Sequence, residues 1–300
     1  MSILIDETKR VLVQGITGRE AMARTKLMLE YGTQVLAGTS PSKAGETVYG
    51  VAVYDTVAEA VEQQGQFDIS VIFVPGPFVK AAALEAIYAG IPLCVLVPDR
   101  VPIHDTLFIS ELAAERGTRF VGPNTLGVMS PGRALVGMIG GRSEFVRENF
   151  KRGPVGVVSR SGGITTSIAY YLNKIGIGQT TVMHVGGDPI VGINLAESLE
   201  LFEQDDETRA LVMFGEIGST QEEQVASLVS SGEFTKPLIA FIGGAAARHG
   251  MRFSHAGAII EAGRGTYEGK VRALRNAGCL VVENFSDIPH FTREVLGSSS

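Results

Sequence analysis

The chain is poor in cysteine, in basic clusters and in long apolar runs, and each shortage removes a class of function. Cysteine occurs twice, at Cys94 and Cys279, inside strand-like apolar runs and without metal-ligand spacing. Two buried thiols fit packing in a reducing cytoplasm better than a disulfide framework. The net charge of −6 is spread along the chain with no basic block, which argues against a nucleic-acid partner. No apolar stretch reaches the roughly 18–20 residues that span a bilayer. The opening MSILIDETKR carries acidic residues ahead of a strand, so no secretory signal is expected. His104, His184, His249 and His290 are scattered and lack an i, i+4 pair, so no metal site is expected.

What the chain has is glycine, 37 of them, many directly after short β-branched runs, and an apolar content of 45%. That combination describes a well-buried α/β protein with turns at strand ends, where such proteins hold ligands. The spacing predicts strands over Arg10–Gln14, Gln34–Ala37, Ile69–Val74, Leu93–Val97 and Arg119–Val121, with a helix over Arg19–Tyr31. Intervening helices imply parallel βαβ units and a doubly wound sheet. From about Gly132 to Gly153 periodicity lapses. It restarts with strands at Val155–Ser159, Thr180–Met183, Ala210–Phe214, Pro237–Ile242 and Cys279–Val282, then a closing helix near 286–296. Two α/β domains are expected, 1–130 and 131–300.

Four turns could carry chemistry. Gly15-Ile16-Thr17-Gly18-Arg19-Glu20-Ala21 follows the first strand, where a dinucleotide fingerprint sits, with Ala21 in place of the third glycine. An NAD site also wants a carboxylate after the second strand. Here that strand runs into Ala37-Gly38-Thr39-Ser40-Pro41-Ser42-Lys43, with no acid. Lys43 could pair with an extra phosphate, as CoA or NADP would supply, or could be a solvated surface lysine. Ser159-Arg160-Ser161-Gly162-Gly163 lies between a strand and a helical run, where free N–H groups suit an anion. Gly215-Glu216-Ile217-Gly218 ends a neighbouring strand. Glu216 either faces that crevice and orients a histidine, or caps the helix after Thr220.

The histidine in view is His255, in Phe253-Ser254-His255-Ala256-Gly257-Ala258-Ile259-Ile260. A reacting imidazole needs room at its ring nitrogens, and Ala256 and Gly257 leave it. A loop histidine satisfied by hydrogen bonds is the competing reading.

Taken in order, GITGRE, SPSKAG, VIFVPGPF, GPNTLG, VVSRSGG, GGDPIVG, MFGEIG and FSHAGAII resemble the alpha subunit of succinyl-CoA synthetase over about residues 3–296. The resemblance implies a Rossmann-like CoA-binding domain followed by a flavodoxin-like ligase domain. It implies CoA contacts at Thr17, Gly18, Arg19, Glu20, Lys43, Val97, Pro98 and Asp99. It further implies a transient phosphohistidine at His255 assisted by Glu216, and a phosphate turn at Ser161, Gly162 and Gly163. The family works with an ATP-grasp beta subunit, and no Walker A loop occurs here, so ATP or GTP with Mg is expected on that partner. The implied activity is an NTP-dependent acid–CoA ligase. Departures cluster near the acid, at Asn124-Thr125-Leu126, at Thr166 where the family has a tyrosine, and at Ala247–Arg252. They leave the acid open between succinate and malate, citrate or sulfoacetate. A non-catalytic CoA-binding homologue and an NAD(P)-linked oxidoreductase are the remaining alternatives, and His249 is the competing phosphate acceptor.

Overall fold

The computed structural model describes residues 3–246 and 265–297. Its first layer system follows β1 (Arg10–Gln14), α1 (Arg19–Tyr31), β2 (Gln34–Thr39), β3 (Thr47–Val48), β4 (Val51–Tyr54) and α2 (Val57–Gln64). It continues through β5 (Ile69–Ile72), α3 (Val79–Tyr88), β6 (Leu93–Leu96), α4 (Ile103–Arg116) and β7 (Arg119–Val121). The sheet order is β3-β4-β2-β1-β5-β6-β7, with β3 alone antiparallel. Counting only the parallel strands gives the 3-2-1-4-5-6 order of a dinucleotide-binding fold. β5 and β6 read ISVI and LCVL and are buried at every position, as expected where helices cover both faces of a parallel sheet.

The second system runs β8 (Gly127–Ser130), β9 (Ala134–Gly137), α5 (Ser143–Asn149), β10 (Arg152–Ser159), α6 (Gly162–Lys174) and β11 (Gln179–His184). It closes with α7 (Leu195–Glu203), β12 (Ala210–Glu216), α8 (Gln221–Ser231), β13 (Leu238–Gly243), α9 (Tyr267–Asn276), β14 (Leu280–Val282) and α10 (Ile288–Gly297). Its order, β14-β13-β12-β10-β11-β8-β9, contains the 2-1-3-4-5 order of a flavodoxin-like sheet with an antiparallel hairpin added at the β11 edge.

That hairpin fills part of the stretch in which sequence periodicity lapses. Pro131 and left-handed Gly132 (φ 78°) make its turn, closed by the Arg133 N–H to the Ser130 carbonyl at 3.0 Å. A break between domains at 130/131 therefore cuts the hairpin. By hydrogen bonding, the chain changes sheets between Val121 and Gly127. α5 also lies in the stretch read as irregular.

The hairpin welds the two halves through α1. Thr33 Oγ1 donates to the Leu135 carbonyl at 2.7 Å, and the Leu135 N–H returns a bond at 3.0 Å. Tyr31 accepts the Gly132 N–H at 2.9 Å. Leu27 and Met28 join a single apolar cluster with Val128, Leu135 and Val136. Each such side chain removed from water contributes about 1.5–3 kcal/mol. A second cluster, around Leu12, Ile72, Val79 and Ile109, fills the other face of the first sheet.

Candidate functional site

Both sheets offer their carboxyl edges where strand order reverses, which is where open α/β sheets bind ligands. In the first sheet this is between β1 and β5. Gly15 takes φ 76°, and its N–H and that of Ile16 bond the Thr39 carbonyl at 2.8 and 3.2 Å, folding the turn against β2. Gly38 is required there, since a Cβ on it would stand 2.4 Å from Ile16 Cδ1. Thr17 and Ser40 share a 2.7 Å hydroxyl bond. Gly18 is the N-cap of α1 and makes no side-chain cap bond, so the first N–H groups of the helix are offered outward. Gly18, Arg19 and Glu20 are exposed, and Glu20 pairs with Arg24 at 2.7 Å.

The other rim loops join this turn. A Cβ on Gly76 would meet the Arg100 and Asp99 carbonyls at 2.8 and 3.0 Å, so the loop after β5 lies directly on Val97-Pro98-Asp99. Lys43 sits on the loop after β2, half-exposed, its ammonium 2.9 Å from Glu46 and its N–H on Asp55. The cation expected to await a phosphate thus already has a carboxylate partner. Being at the surface, that pair is weak enough to exchange.

The second sheet reverses between β10 and β12, which run parallel with Ser159 opposite Phe214. Ser161 is the N-cap of α6, and its hydroxyl does not cap the helix. A serine at an N-cap more commonly accepts an N–H of the first turn. A Cβ on Gly162 would stand 2.7 Å from the Leu126 side chain and 3.3 Å from His184 Cε1, whereas Gly163 faces open space. Thr166, one turn on, donates its hydroxyl to the Gly162 carbonyl at 3.1 Å.

Beneath this turn lies a charged interior of which only Glu216 was marked from the sequence. Arg160 is 1% exposed and its Nε lies 3.3 Å from Glu216 Oε1. Its Nη1 donates to Ser219 Oγ at 3.1 Å and its Nη2 to the Asp188 carbonyl at 3.2 Å. Glu216 thus belongs to this interior rather than capping α8. Buried His184 accepts the Leu126 N–H on Nδ1 at 2.9 Å, so Nε2 carries the proton and donates to the Arg160 carbonyl at 3.0 Å. The signal for Arg160 was present in the sequence, a charged residue between two serines at the end of an apolar strand.

Asn124 links the two edges. It follows a cis Gly122–Pro123 bond and takes φ 58°. Its N–H bonds the Pro98 carbonyl at 2.7 Å, and its Nδ2 donates to Asp188 Oδ1 at 3.1 Å. Asn124 therefore touches the loop after β6 with its backbone and the Arg160 network with its side chain. His255 and the whole segment 247–264, His249 included, lie outside the described residues. The Gly265 carbonyl, just ahead of α9, accepts the Gly218 N–H at 2.9 Å, two residues beyond Glu216.

A Rossmann-type sheet joined through Asn124 to a flavodoxin-type sheet, each with a glycine-rich helix N-terminus at its carboxyl edge, defines a two-domain α/β protein suited to anionic ligands. Family models agree: a CoA binding domain matches residues 6–99 and a CoA-ligase domain residues 158–280. The chain belongs to the succinate–CoA ligase alpha-subunit family. It is 45% identical to the succinate–CoA ligase (ADP-forming) subunit alpha 1 of Archaeoglobus fulgidus, over 99% of both chains. It is 43% identical to the corresponding alpha subunit of Aquifex aeolicus, over 99% of this chain and 95% of that one. Among solved structures, ATP citrate lyase from Methanothrix soehngenii, in complex with citrate and coenzyme A, superposes with a TM-score of 0.92 at 24% identity. That match covers 99% of this chain, which spans about half (51%) of the lyase chain. It speaks for the fold. Among the described residues, no helix is long and apolar enough to cross a membrane.

Proposed function

We propose that this chain is the CoA-binding, histidine-bearing subunit of an NTP-dependent acid–CoA ligase, acting in the cytoplasm with an ATP-grasp beta subunit on succinate or a closely related small acid. Residues 6–121 form its CoA-binding part, with Thr17, Gly18, Arg19, Glu20, Lys43 and Val97-Pro98-Asp99 around the cofactor. The remainder forms the ligase part.

Three transfers balance the reaction. A ring nitrogen of His255 attacks the γ-phosphorus of the NTP held by the partner, and NDP leaves. A carboxylate oxygen of the acid then attacks that phosphorus, which breaks the P–N bond and frees the imidazole. The CoA sulfur attacks the resulting acyl phosphate carbon, the C–O bond breaks, and phosphate leaves as the thiol proton is released. Phosphoryl transfer needs mostly positioning and charge stabilisation. The α6 N-terminus at Ser161, Gly162 and Gly163 provides a phosphate cradle. Glu216 holds the imidazole's other nitrogen, and Asn124 and Thr166 flank the acid between the two edges.

The observation that carries this reading is the uncapped Ser161-Gly162-Gly163 turn at the switch point, placed beside the buried Arg160–Glu216 pair. The test is labelling with γ-labelled ATP or GTP. The complex with the beta subunit should take up an acid-labile, base-stable phosphoryl group, and the isolated chain should take up none. His255→Asn should abolish the label. A label that persists sinks the assignment, and a complex that binds CoA but never exchanges phosphate indicates a regulatory homologue. Product formation across a panel of carboxylic acids then names the acid.

A further inference from the structure

We propose that Lys270 and Glu222 form a buried positioning device that fixes the Glu216 turn for phosphohistidine chemistry; the inference rests on the role proposed above for Glu216 and His255. Both side chains are fully buried, on α9 and in the first turn of α8. An apolar pair of similar volume would often stabilise the fold as well or better, so a retained ion pair asks for a geometric reason.

The contacts supply one. Glu222 divides its carboxylate between two tasks: Oε1 accepts the Glu216 N–H at 2.9 Å, and Oε2 meets the Lys270 ammonium. Lys270 Nζ also donates to the Ser219 carbonyl and to Glu223 Oε2, the latter at 2.8 Å. Ser219 Oγ accepts from Arg160 Nη1 at 3.1 Å, and Arg160 Nε lies 3.3 Å from the Glu216 carboxylate. The path closes on itself, from the Glu216 backbone through Glu222, Lys270, Ser219 and Arg160 to the Glu216 side chain. Between its two ends the turn is pinned again: Ile217 N–H bonds the Gly243 carbonyl at 3.3 Å, and Gly218 N–H the Gly265 carbonyl at 2.9 Å.

Two glycines make the closure possible. A Cβ on Gly215 would stand 2.5 Å from Glu222 Cγ, and one on Gly265 would stand 1.8 Å from the Gly218 carbonyl oxygen. Gly265 lies just ahead of α9, whose N-cap Thr266 accepts the Gly269 N–H at 3.1 Å. The ring therefore holds, in one frame, the Glu216 carboxylate and the Gly218–Gly265 contact at the start of α9. A carboxylate partner misplaced by about 1 Å can cost a phosphotransfer about a hundredfold in rate.

The test uses the complex with the beta subunit and the double variant Glu222→Leu/Lys270→Met, which removes both charges while retaining bulk. Its melting temperature should fall only modestly, since both charges go together while the Glu216 N–H loses its acceptor. Its single-turnover labelling rate should fall about a hundredfold, with the KM values for NTP and CoA unchanged. The conservative single variant Lys270→Arg, which keeps the charge opposite Glu222, should retain most of the rate. In a Glu216→Gln background the double variant should cause little further loss, because it acts through Glu216. A labelled double variant as fast as the unaltered complex, or an effect fully additive with Glu216→Gln, overturns this inference alone. An unaltered complex that takes no label overturns the phosphohistidine reading and this inference with it.

Discussion

The two anion-suited turns occupy equivalent places in their sheets, yet one is built at the surface and the other over buried charge. At Gly15–Glu20 the polar work falls to backbone N–H groups and one hydroxyl pair, Thr17–Ser40, with Arg19 and Glu20 in solvent. At Ser159–Gly163 the turn rests on Arg160, Glu216, Ser219 and, one layer deeper, Lys270 and Glu222. A cofactor that binds and leaves in each cycle is served by an accessible rim whose ion pairs can exchange. A phosphoryl group in transfer is served by charges that do not move. With the roles proposed above, the difference would separate binding from chemistry along the chain.

That contrast can be broken most severely at Arg160. Arg160→Met leaves Glu216 without its buried guanidinium and should cost about 3–5 kcal/mol in chemical denaturation. Arg19→Ala, at the matching exposed turn, should stay within about 0.5 kcal/mol. Next in size is Gly162→Ala, whose Cβ would press on Leu126 at 2.7 Å. It should slow labelling of the complex by about tenfold or more through misplacement of the turn. Gly18→Ala meets the Gly15 carbonyl at 3.2 Å. It should raise the KM for CoA while leaving labelling intact; a reversal of these two effects would show that the turns had been assigned to the wrong ligands.

Smaller again is Lys43→Ala. Its surface pair with Glu46 is worth about 0.2–1 kcal/mol. The rise in the KM for CoA should shrink as salt is added, since exposed charges are screened.

A last effect, read in stability against pH rather than in ligand binding, concerns the two thiols, one in each half. Burial pushes Cys94 up to about 12 and Cys279 to about 11, from an ordinary 9.0. The unfolded chain then loses these protons near pH 9 while the folded chain keeps them, so the folded state binds more protons and stability falls as pH rises. Their contribution is full below pH 9 and declines between about 9 and 12 for Cys94, and between about 9 and 11 for Cys279. Denaturation at pH 8 and pH 10 checks the sign, and Cys94→Ala should flatten the decline. Native-state alkylation at pH 8 should be slow at both, and slower at Cys94.

Much of the fold was legible because parallel strands buried on both faces are continuous apolar runs. α1 was read at Arg19–Tyr31, where it lies, and β7 at Arg119–Val121, where it lies. The hairpin β8–β9 was missed because its registration comes from β11 and α1, elements distant in sequence. β3 was missed because two residues carry no period. At the site, glycines at strand ends marked both turns, since close backbone approach demands that residue. Arg160 escaped because charge in a turn ordinarily reads as solvated. Glu222 and Lys270 escaped because a separation of 48 positions hides a pair that only α8 packing against α9 brings together.

The sequence by itself determined two doubly wound halves, the two glycine turns and the family, because apolar periodicity and short motifs are local properties. Only the tertiary structure decided that Asn124 bridges the two edges, that Lys43 already has a partner, and that Glu216 stands on a closed ring of buried charge. Those are relations between side chains far apart in the chain, and their energies depend on burial and distance, which no local pattern records.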